Sequence, residues 1–234
     1  SHLPALSAEG SALLESDIRL EEVILAISRL QVGKAPWSDG YTPAFCKSFC
    51  KVLAPVLLRL FNSFVGGGMC PGSMLEVVIT VILKPGKVPH LPTSYRLISL
   101  MNIDAKIFSS ILAARVKPFL QGLVDPDQMG FIPERTCGNS TKRILQILDK
   151  ASRVKYSALL LSVDAEKAFD LVHWPFLRAV RTQVGIGPRF QQFLWSGYSA
   201  PVTRVRVNGL LSAPFPVQRG THQGCPLSPL QYAL

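Results

Sequence analysis

The stretch Leu161-Ser162-Val163-Asp164-Ala165-Glu166-Lys167-Ala168-Phe169-Asp170 carries most of the information about the fold of this chain. Residues 158–163 are apolar apart from Ser162, which predicts a buried β-strand. Because a carboxylate just past a buried strand is held firmly at the edge of a sheet, Asp164 is a candidate ligand for Mg²⁺, a cation that prefers oxygen donors. An aspartate in this position can equally cap the helix that follows. Spacing alone leaves both interpretations open.

The residues on either side of this stretch predict a mixture of helices and strands. Apolar residues recur at helical spacing in several segments, namely 20–30 (capped by Ser16 or Asp17), 45–64, 104–112, 140–151, 176–184, 190–194 and the residues after Pro226. Strands are predicted at 77–83, 158–163 and 203–207, and the last is followed by the hairpin dipeptide Asn208-Gly209. This mixture predicts an α+β fold.

The charge of the chain favours polyanionic partners. Lys and Arg number 25 against 15 Asp and Glu, which gives a formal net charge of +10. Such a charge is typical of proteins that bind nucleic acid. Many basic proteins bind none, so charge alone does not decide the question.

The cysteines and the apolar runs narrow the class of protein. The five cysteines are scattered and contain no C-x-x-C pair, so neither a disulfide framework nor a zinc knuckle is indicated. The apolar runs are far shorter than the roughly 20 residues that a membrane-spanning helix needs. We therefore expect an intracellular protein of the nucleus and cytoplasm, with reduced thiols and no membrane partner.

Residues 161–170 resemble motif A of the LINE-type (non-LTR) reverse transcriptases almost residue for residue. The resemblance implies that Asp164 is the first metal-binding aspartate and that the backbone carbonyl of Ala165 joins the coordination. It also implies that Phe169 is a steric gate, whose ring leaves no room for a 2′-hydroxyl and so selects deoxynucleotides. A core phenylalanine on the inner face of a helix is the alternative for Phe169.

A second segment also resembles a motif of this family, and the two motifs follow each other along the chain in the family's order. Residues 219–230 are similar to motif B, and the resemblance implies that Gln223 and Gly224 lie against the incoming nucleotide and the template base. A glycine permits close approach of the base pair, and a glutamine side chain can reach the sugar or the base edge.

Two basic segments resemble the fingers motifs of the family. These are 82–87 and 95–100, and the resemblance implies that Lys84 and Arg96 hold the triphosphate. The residue types suit this chemistry, because lysine is a compact charge and arginine offers a fork for two oxygens. Basic residues near turns are also often simply solvated.

Three further arginines are candidates for contact with the template or primer. Residues 128–133 resemble the element that lies near the template, and Arg135 follows it. Arg204 and Arg206 alternate with valines on the predicted hairpin, where they can contact a nucleic-acid backbone or simply face solvent.

The resemblance implies the fold and the reaction of the parent enzyme. The fold is the α+β right-hand polymerase fold, with fingers in 1–155 and a partial palm in 156–234 that returns to the fingers near 171–200. The reaction is extension of a primer 3′-hydroxyl with deoxynucleoside triphosphates on an RNA template. Its partners are the RNA template, a DNA primer or RNA–DNA hybrid, and two Mg²⁺ ions in the complete enzyme.

The resemblance does not extend to every motif of the family. Motif C, an aromatic-x-Asp-Asp hairpin, and the thumb have no counterpart before Leu234, and the sequence contains no Asp-Asp pair. Since Asp164 alone cannot hold two Mg²⁺ ions, we expect this chain by itself to be inactive. Its rival function is that of a non-catalytic remnant that binds RNA or a hybrid duplex.

Several residues depart from the family's usual choices. Trp37 and Glu134 stand where the family usually has glycine, and Leu97 stands where it has proline. Leu171 and His222 replace arginines. Together these departures are typical of a genomic copy under relaxed selection.

Overall fold

A computed structural model of the chain describes residues 4–33, 39–157, 159–198 and 201–234. The helices in these residues are α1 (Ala8–Glu15), α2 (Leu20–Ser28), α3 (Pro43–Ser48), α4 (Cys50–Ser63), α5 (Gly72–Leu75), α6 (Ile103–Val116), α7 (Leu120–Leu123), α8 (Cys137–Arg153), α9 (Trp174–Gln183), α10 (Pro188–Ser196) and α11 (Ser228–Ala233). The strands are β1 (Glu76–Leu83), β2 (Tyr95–Met101), β3 (Val202–Val207), β4 (Leu210–Leu211) and β5 (Phe215–Pro216). Single 3₁₀ turns lie at Pro92–Ser94 and Lys117–Phe119. The mixed helix-and-strand class predicted from the sequence is confirmed.

One sheet joins distant parts of the chain. β1 pairs antiparallel with β2 and parallel with β3, and β3 in turn pairs with β4 and β5. The β3–β4 turn is formed by Asn208 and Gly209, both with positive φ, as the Asn-Gly dipeptide predicts. The sheet is therefore built from segments on both sides of residue 155, the boundary that the sequence predicts between fingers and palm.

An aromatic cluster holds the helices together beside this sheet. Phe108 of α6 lies 4.9 Å from Phe61 of α4, 5.3 Å from Phe64 and 6.1 Å from Phe193 of α10, between ring centroids. All four side chains are buried. Helices from widely separated parts of the chain thus share one apolar core, which supports the sheet at Val77.

The N-terminal helices are fastened to α6 by a buried arginine. Arg115 is 5% exposed and makes two 2.7 Å hydrogen bonds to the carboxylate of Glu22 in α2. It also donates to the carbonyl oxygens of Ser16 and Asp17, which follow α1. Arg115 therefore satisfies the groups between α1 and α2 that would otherwise lack partners.

The helix boundaries differ from the predicted ones for local reasons. α2 begins after Arg19 rather than at Ser16 or Asp17, because the Glu22 carboxylate accepts a hydrogen bond from the Arg19 N–H and closes the first turn. The long helix predicted over 45–64 is divided at Phe49 into α3 and α4. Among the residues described, no helix has the length and apolar character needed to cross a membrane.

The strand predicted at 158–163 is not formed over its described residues, 159–163. Residues 159–165 have no regular secondary structure, and the side chains of Leu161 and Val163 are 77% and 82% exposed. A strand forms only where neighbouring strands take up its backbone hydrogen bonds, and in the described residues none pairs with 159–163. The strand predicted at 203–207 is formed as β3 and pairs with β1.

Candidate nucleotide site

The segment after Asp164 is bound through its backbone to the segment that carries Gln223. The N–H of Thr221 donates to the carbonyl oxygen of Phe169 at 2.7 Å, and the N–H of Gly220 donates to that of Val172 at 2.7 Å. The indole N–H of Trp174, at the start of α9, donates to the Gly220 carbonyl at 2.9 Å. The segments that resemble motifs A and B therefore lie side by side.

Close approach at this junction requires a glycine. Gly220 has φ +87°, and a Cβ atom placed on it would lie 2.8 Å from the Asp170 carbonyl oxygen and 3.0 Å from that of Phe169. Any side chain would be strained in this conformation and would also collide with backbone.

The ring of Phe169 lies among other aromatic rings. Its centroid is 4.8 Å from that of Tyr232 in α11 and 5.9 Å from that of Phe131. Phe131 belongs to the segment 128–133, which the sequence assigns to the template side. The half-buried Phe169 thus contacts α11 and the segment 128–133.

Gln223 and Gly224 lie along the free edge of β2. The Ser99 N–H donates to the Gln223 carbonyl at 2.9 Å, and a Cβ on Gly224, which has φ +110°, would be 3.0 Å from the Ser99 carbonyl oxygen. The Gln223 side-chain amide also points to the carboxylate of Asp170, at 3.4 Å. Gln223 therefore connects the Phe169 segment to the strand that carries Arg96.

The sheet presents the predicted basic residues on one face. Paired residues of neighbouring strands place their side chains on the same side, and alternate residues of one strand share a face. The relevant pairs are Ile82 with Arg96, Thr80 with Arg206, and Val78 with Arg204. Because 78, 80 and 82 alternate along β1, all three arginines share a face.

Lys84 continues the same alternation just beyond β1. Its N–H donates to the Ser94 carbonyl at 2.9 Å, which extends the β1–β2 pairing, and its Nζ donates to the Thr93 carbonyl at 3.1 Å. Lys84 and Arg96 are therefore diagonal neighbours on one face of a hairpin. Arg96 is exposed and takes part in no ion pair within the described ranges.

The arginines predicted to contact template or primer differ in the contacts that their guanidinium groups make with the rest of the protein. Arg204 lies 3.6 Å from the Glu76 carboxylate, whereas Arg206 is exposed. Arg135 donates to the carbonyl oxygens of Asp125 at 2.6 Å, Gln128 at 2.8 Å and Gln121 at 3.1 Å. Its guanidinium thus orders the loop after α7, a role that sequence reasoning missed because bonds to backbone carbonyls leave no sequence signal.

Asp164 and Ala165 are exposed and lie in the segment without regular structure. A carboxylate and a carbonyl oxygen suit Mg²⁺ in their chemistry. Nowhere in the described residues do three His, Cys, Asp or Glu side chains come together as metal ligands would. Asp164 and Ala165 therefore fit part of a metal site, and a pair of ions needs further carboxylates.

Glu134 stands where the family usually has glycine, and its backbone has a conformation that favours glycine. Glu134 has φ +64°, a conformation that glycine adopts at no cost and other residues adopt with strain. Of the other departures, Leu97 is exposed on β2, and Trp37 lies outside the described residues.

Comparison with known protein families identifies a family for most of the chain. The family described as "Reverse transcriptase (RNA-dependent DNA polymerase)" matches residues 82–234. Every residue predicted here to bind nucleotide, metal, template or primer falls inside that range.

The similar proteins come from mobile elements. A transposon TX1 uncharacterized 149 kDa protein from Xenopus laevis is 33% identical over 99% of this chain and 18% of its own length. The Pol polyprotein of the type-2 retrotransposable element R2DM from Drosophila melanogaster is 27% identical over 99% of the chain and 22% of its length. The RNA-directed DNA polymerase from mobile element jockey of Drosophila funebris is 26% identical over 95% of the chain and 24% of its length. The chain spans less than a quarter of each relative.

Proposed function

Because the chain belongs to the reverse transcriptase family, with the LINE-type elements as its relatives, we propose that it supplies the deoxynucleotide site of an RNA-directed DNA polymerase. The enzyme would extend a primer 3′-hydroxyl with deoxynucleoside triphosphates on an RNA template. The observation that carries the proposal is the backbone junction of Thr221 with Phe169, together with the bond from Ser99 to Gln223. Segments that resemble three separate motifs of the family are joined by these two bonds.

Each proposed role follows from the chemistry of the side chain. Lys84 and Arg96 bind the triphosphate, because they share one face of the β1–β2 hairpin and Arg96 is free of ion pairs within the described ranges. Phe169 packs under the sugar and excludes a 2′-hydroxyl. Gln223 and Gly224 lie against the nascent base pair, where the missing side chain of glycine leaves room for the base.

Mg²⁺ is the cofactor that we propose for this site, held by the Asp164 carboxylate and the Ala165 carbonyl. When bound, a pair of such ions activates the primer hydroxyl and stabilises the leaving oxygen. This chain would contribute the Asp164 carboxylate and the Ala165 carbonyl oxygen to the metal site. The remaining carboxylates must come from residues other than Asp164.

The template, primer and hybrid would be bound by the basic surface. Arg204, Arg206 and Arg135 are the proposed contacts, and the first two share the face of Arg96. Contacts of this kind release counterions, so binding weakens as salt increases.

The proposed enzyme has the right-hand polymerase fold. Its fingers lie in 1–155, and its partial palm lies in 156–234 with a return to the fingers near 171–200. We propose that the protein acts in the nucleus and cytoplasm.

A second candidate function is a non-catalytic remnant that binds RNA or a hybrid duplex. It is favoured by the exposed, unpaired segment 159–165, which carries the only catalytic carboxylate that the resemblance assigns to this chain. Both candidate functions predict binding of an RNA–DNA hybrid, but only the polymerase function predicts primer extension.

Primer extension on an RNA template separates the two functions. We expect the chain of 234 residues to bind the hybrid in a salt-sensitive way without extending the primer. The longest natural product that contains it should extend the primer with Mg²⁺ and deoxynucleotides, and Asp164→Asn should abolish extension while the surface control Asp149→Asn does not. Hybrid binding without extension by that product selects the remnant. Failure to bind the hybrid contradicts both functions.

A further inference from the structure

Helix α9 contains a buried arginine that has no carboxylate partner among the described residues. Arg181 is 4% exposed and takes part in no ion pair there. Burial lowers the pKa of its guanidinium below the usual value, and the nearby Tyr198 offsets the effect only in part. Buried arginines are normally paired, because an isolated buried charge is strongly unfavourable.

The groups around Arg181 leave part of its guanidinium unsatisfied. One terminal nitrogen donates to Oε1 of Gln231 at 3.1 Å, and the Tyr198 hydroxyl donates to the same oxygen at 2.9 Å. Nε of Arg181 and Nε2 of Gln231 are buried and have no hydrogen-bond partner in the part of the chain that the structure describes. The site therefore has an excess of donors, and the group it lacks is an acceptor.

Arg181 also lines a cleft between α9 and α10. The cavity has a volume of about 190 Å³, and its charged lining consists of Arg181 and Arg178, one turn earlier on α9. Gln191, Gln192 and Trp195 form the α10 side. Every charge on the lining is positive, and Gln191 is fixed in place by its bonds to Thr182 and Ile186.

We propose that the cleft between α9 and α10 binds a phosphate group, with Arg181 and Arg178 as its ligands. Two guanidinium forks on adjacent helical turns offer more donors than the two oxygens of a carboxylate can use, and they match the several oxygens of a phosphate. None of these residues belongs to the nucleotide or template sites proposed above. The phosphate site therefore goes beyond the proposed polymerase function and stands even if that function fails.

Urea unfolding in sodium phosphate and in sodium chloride of equal ionic strength tests the site. A ligand at ten times its Kd lowers the unfolding constant by about elevenfold. We expect this stabilisation in the wild type and in Arg59→Gln, a surface control on α4, and not in Arg181→Leu. Arg178→Gln should reduce it, and because Arg178 is exposed this variant should fold normally.

The variants separate a bound phosphate from the general effect of the salt. Phosphate stabilises most proteins somewhat by exclusion from their surface, and this part is common to all four proteins. Equal stabilisation of wild type, Arg178→Gln and Arg181→Leu would overturn the proposal. In chloride, Arg181→Leu should unfold no more easily than the wild type, because the change removes an unpaired buried charge.

Binding of a short single-stranded RNA identifies the source of the phosphate. If Arg181→Leu and Arg178→Gln both weaken RNA binding relative to Arg59→Gln, the site takes a nucleic-acid backbone. If only the stabilisation by inorganic phosphate is lost, the site takes free phosphate. If neither changes, the site does not exist.

Discussion

The N–H of Thr221 donates a 2.7 Å hydrogen bond to the carbonyl oxygen of Phe169. This bond joins the two segments on which the proposed deoxynucleotide site depends, and it does so through the backbone. The junction depends on the neighbouring Gly220, where an added Cβ would collide with backbone.

Gly220→Ala should destabilise the chain by about 2–4 kcal/mol, because the new Cβ is both strained and in contact with backbone. Urea unfolding measures the change. Gly33→Ala is the matched control, since Gly33 has a similar φ of +80° but nothing within 4 Å of the added Cβ. The control should lose only about 1 kcal/mol from strain. Equal losses in the two variants would show that the close approach to Asp170 is not tight.

Glu134→Gly should stabilise the chain by up to about 1 kcal/mol, because it relieves a positive φ in a non-glycine residue. The gain is limited by the greater backbone freedom of glycine in the unfolded chain. Thermal and urea unfolding report the change. The same substitution at the exposed helical residue Glu21 should instead destabilise by about 1 kcal/mol. A loss of stability at both positions would contradict the assignment of strain to Glu134.

Local patterns in the sequence predict the elements well where the pattern is strong. The apolar run 77–83 forms β1 and the Asn208-Gly209 dipeptide forms the β3–β4 turn. Glu134, identified from the family's usual glycine, has the left-handed backbone that a glycine would favour. Each of these features depends on residues close together in the chain.

Pairing between distant segments was not predictable. Periodicity identifies a strand without naming its neighbours, so the parallel pairing of β3 with β1 has no local signal. For the same reason, the apolar run 158–163 predicts a strand, and the structure provides it with no partner within the described residues. The hydrogen bonds of Arg135 to three backbone carbonyls could not be predicted either, because every residue has a carbonyl group.

Leu161→Ser should change the free energy of unfolding by less than about 0.5 kcal/mol, because the side chain is exposed rather than buried in a strand. Leu112→Ala is the contrast: Leu112 is 1% exposed in the α6 core, and its truncation should cost about 2–5 kcal/mol. Urea unfolding compares the two. A loss above about 2 kcal/mol at Leu161 would mean that 159–163 is packed as a strand in this chain after all.

The Glu22–Arg115 pair should make stability depend on pH. Burial raises the pKa of Glu22, but the hydrogen bonds from Arg115 and the Arg19 N–H, with the charges of both arginines, outweigh burial and lower it below the ordinary value of 4.5. A lowered folded pKa means that this stabilisation is complete above the unfolded pKa. It is lost as the pH falls through the folded pKa.

Comparison of Glu22→Gln with Glu21→Gln measures this dependence. At neutral pH Glu22→Gln should cost about 1.5–3 kcal/mol, the range for hydrogen bonds to charged groups. Its disadvantage should shrink on acidification below the ordinary carboxyl pKa. Glu21→Gln, at an exposed neighbouring position, should change stability at neutral pH by less than about 0.5 kcal/mol. A constant difference between Glu22→Gln and wild type at all pH values would contradict the lowered pKa.

The measurement that tests the central claim most directly is the affinity of the chain for a deoxynucleoside triphosphate and for the matching ribonucleotide, with Mg²⁺ and an RNA–DNA primer–template. If Phe169 gates a deoxynucleotide site, the wild type and the exposed control Phe176→Val should prefer the deoxynucleotide by about tenfold or more. Phe169→Val should bind both alike. Equal affinities in the wild type, or a preference that survives Phe169→Val, would contradict the account.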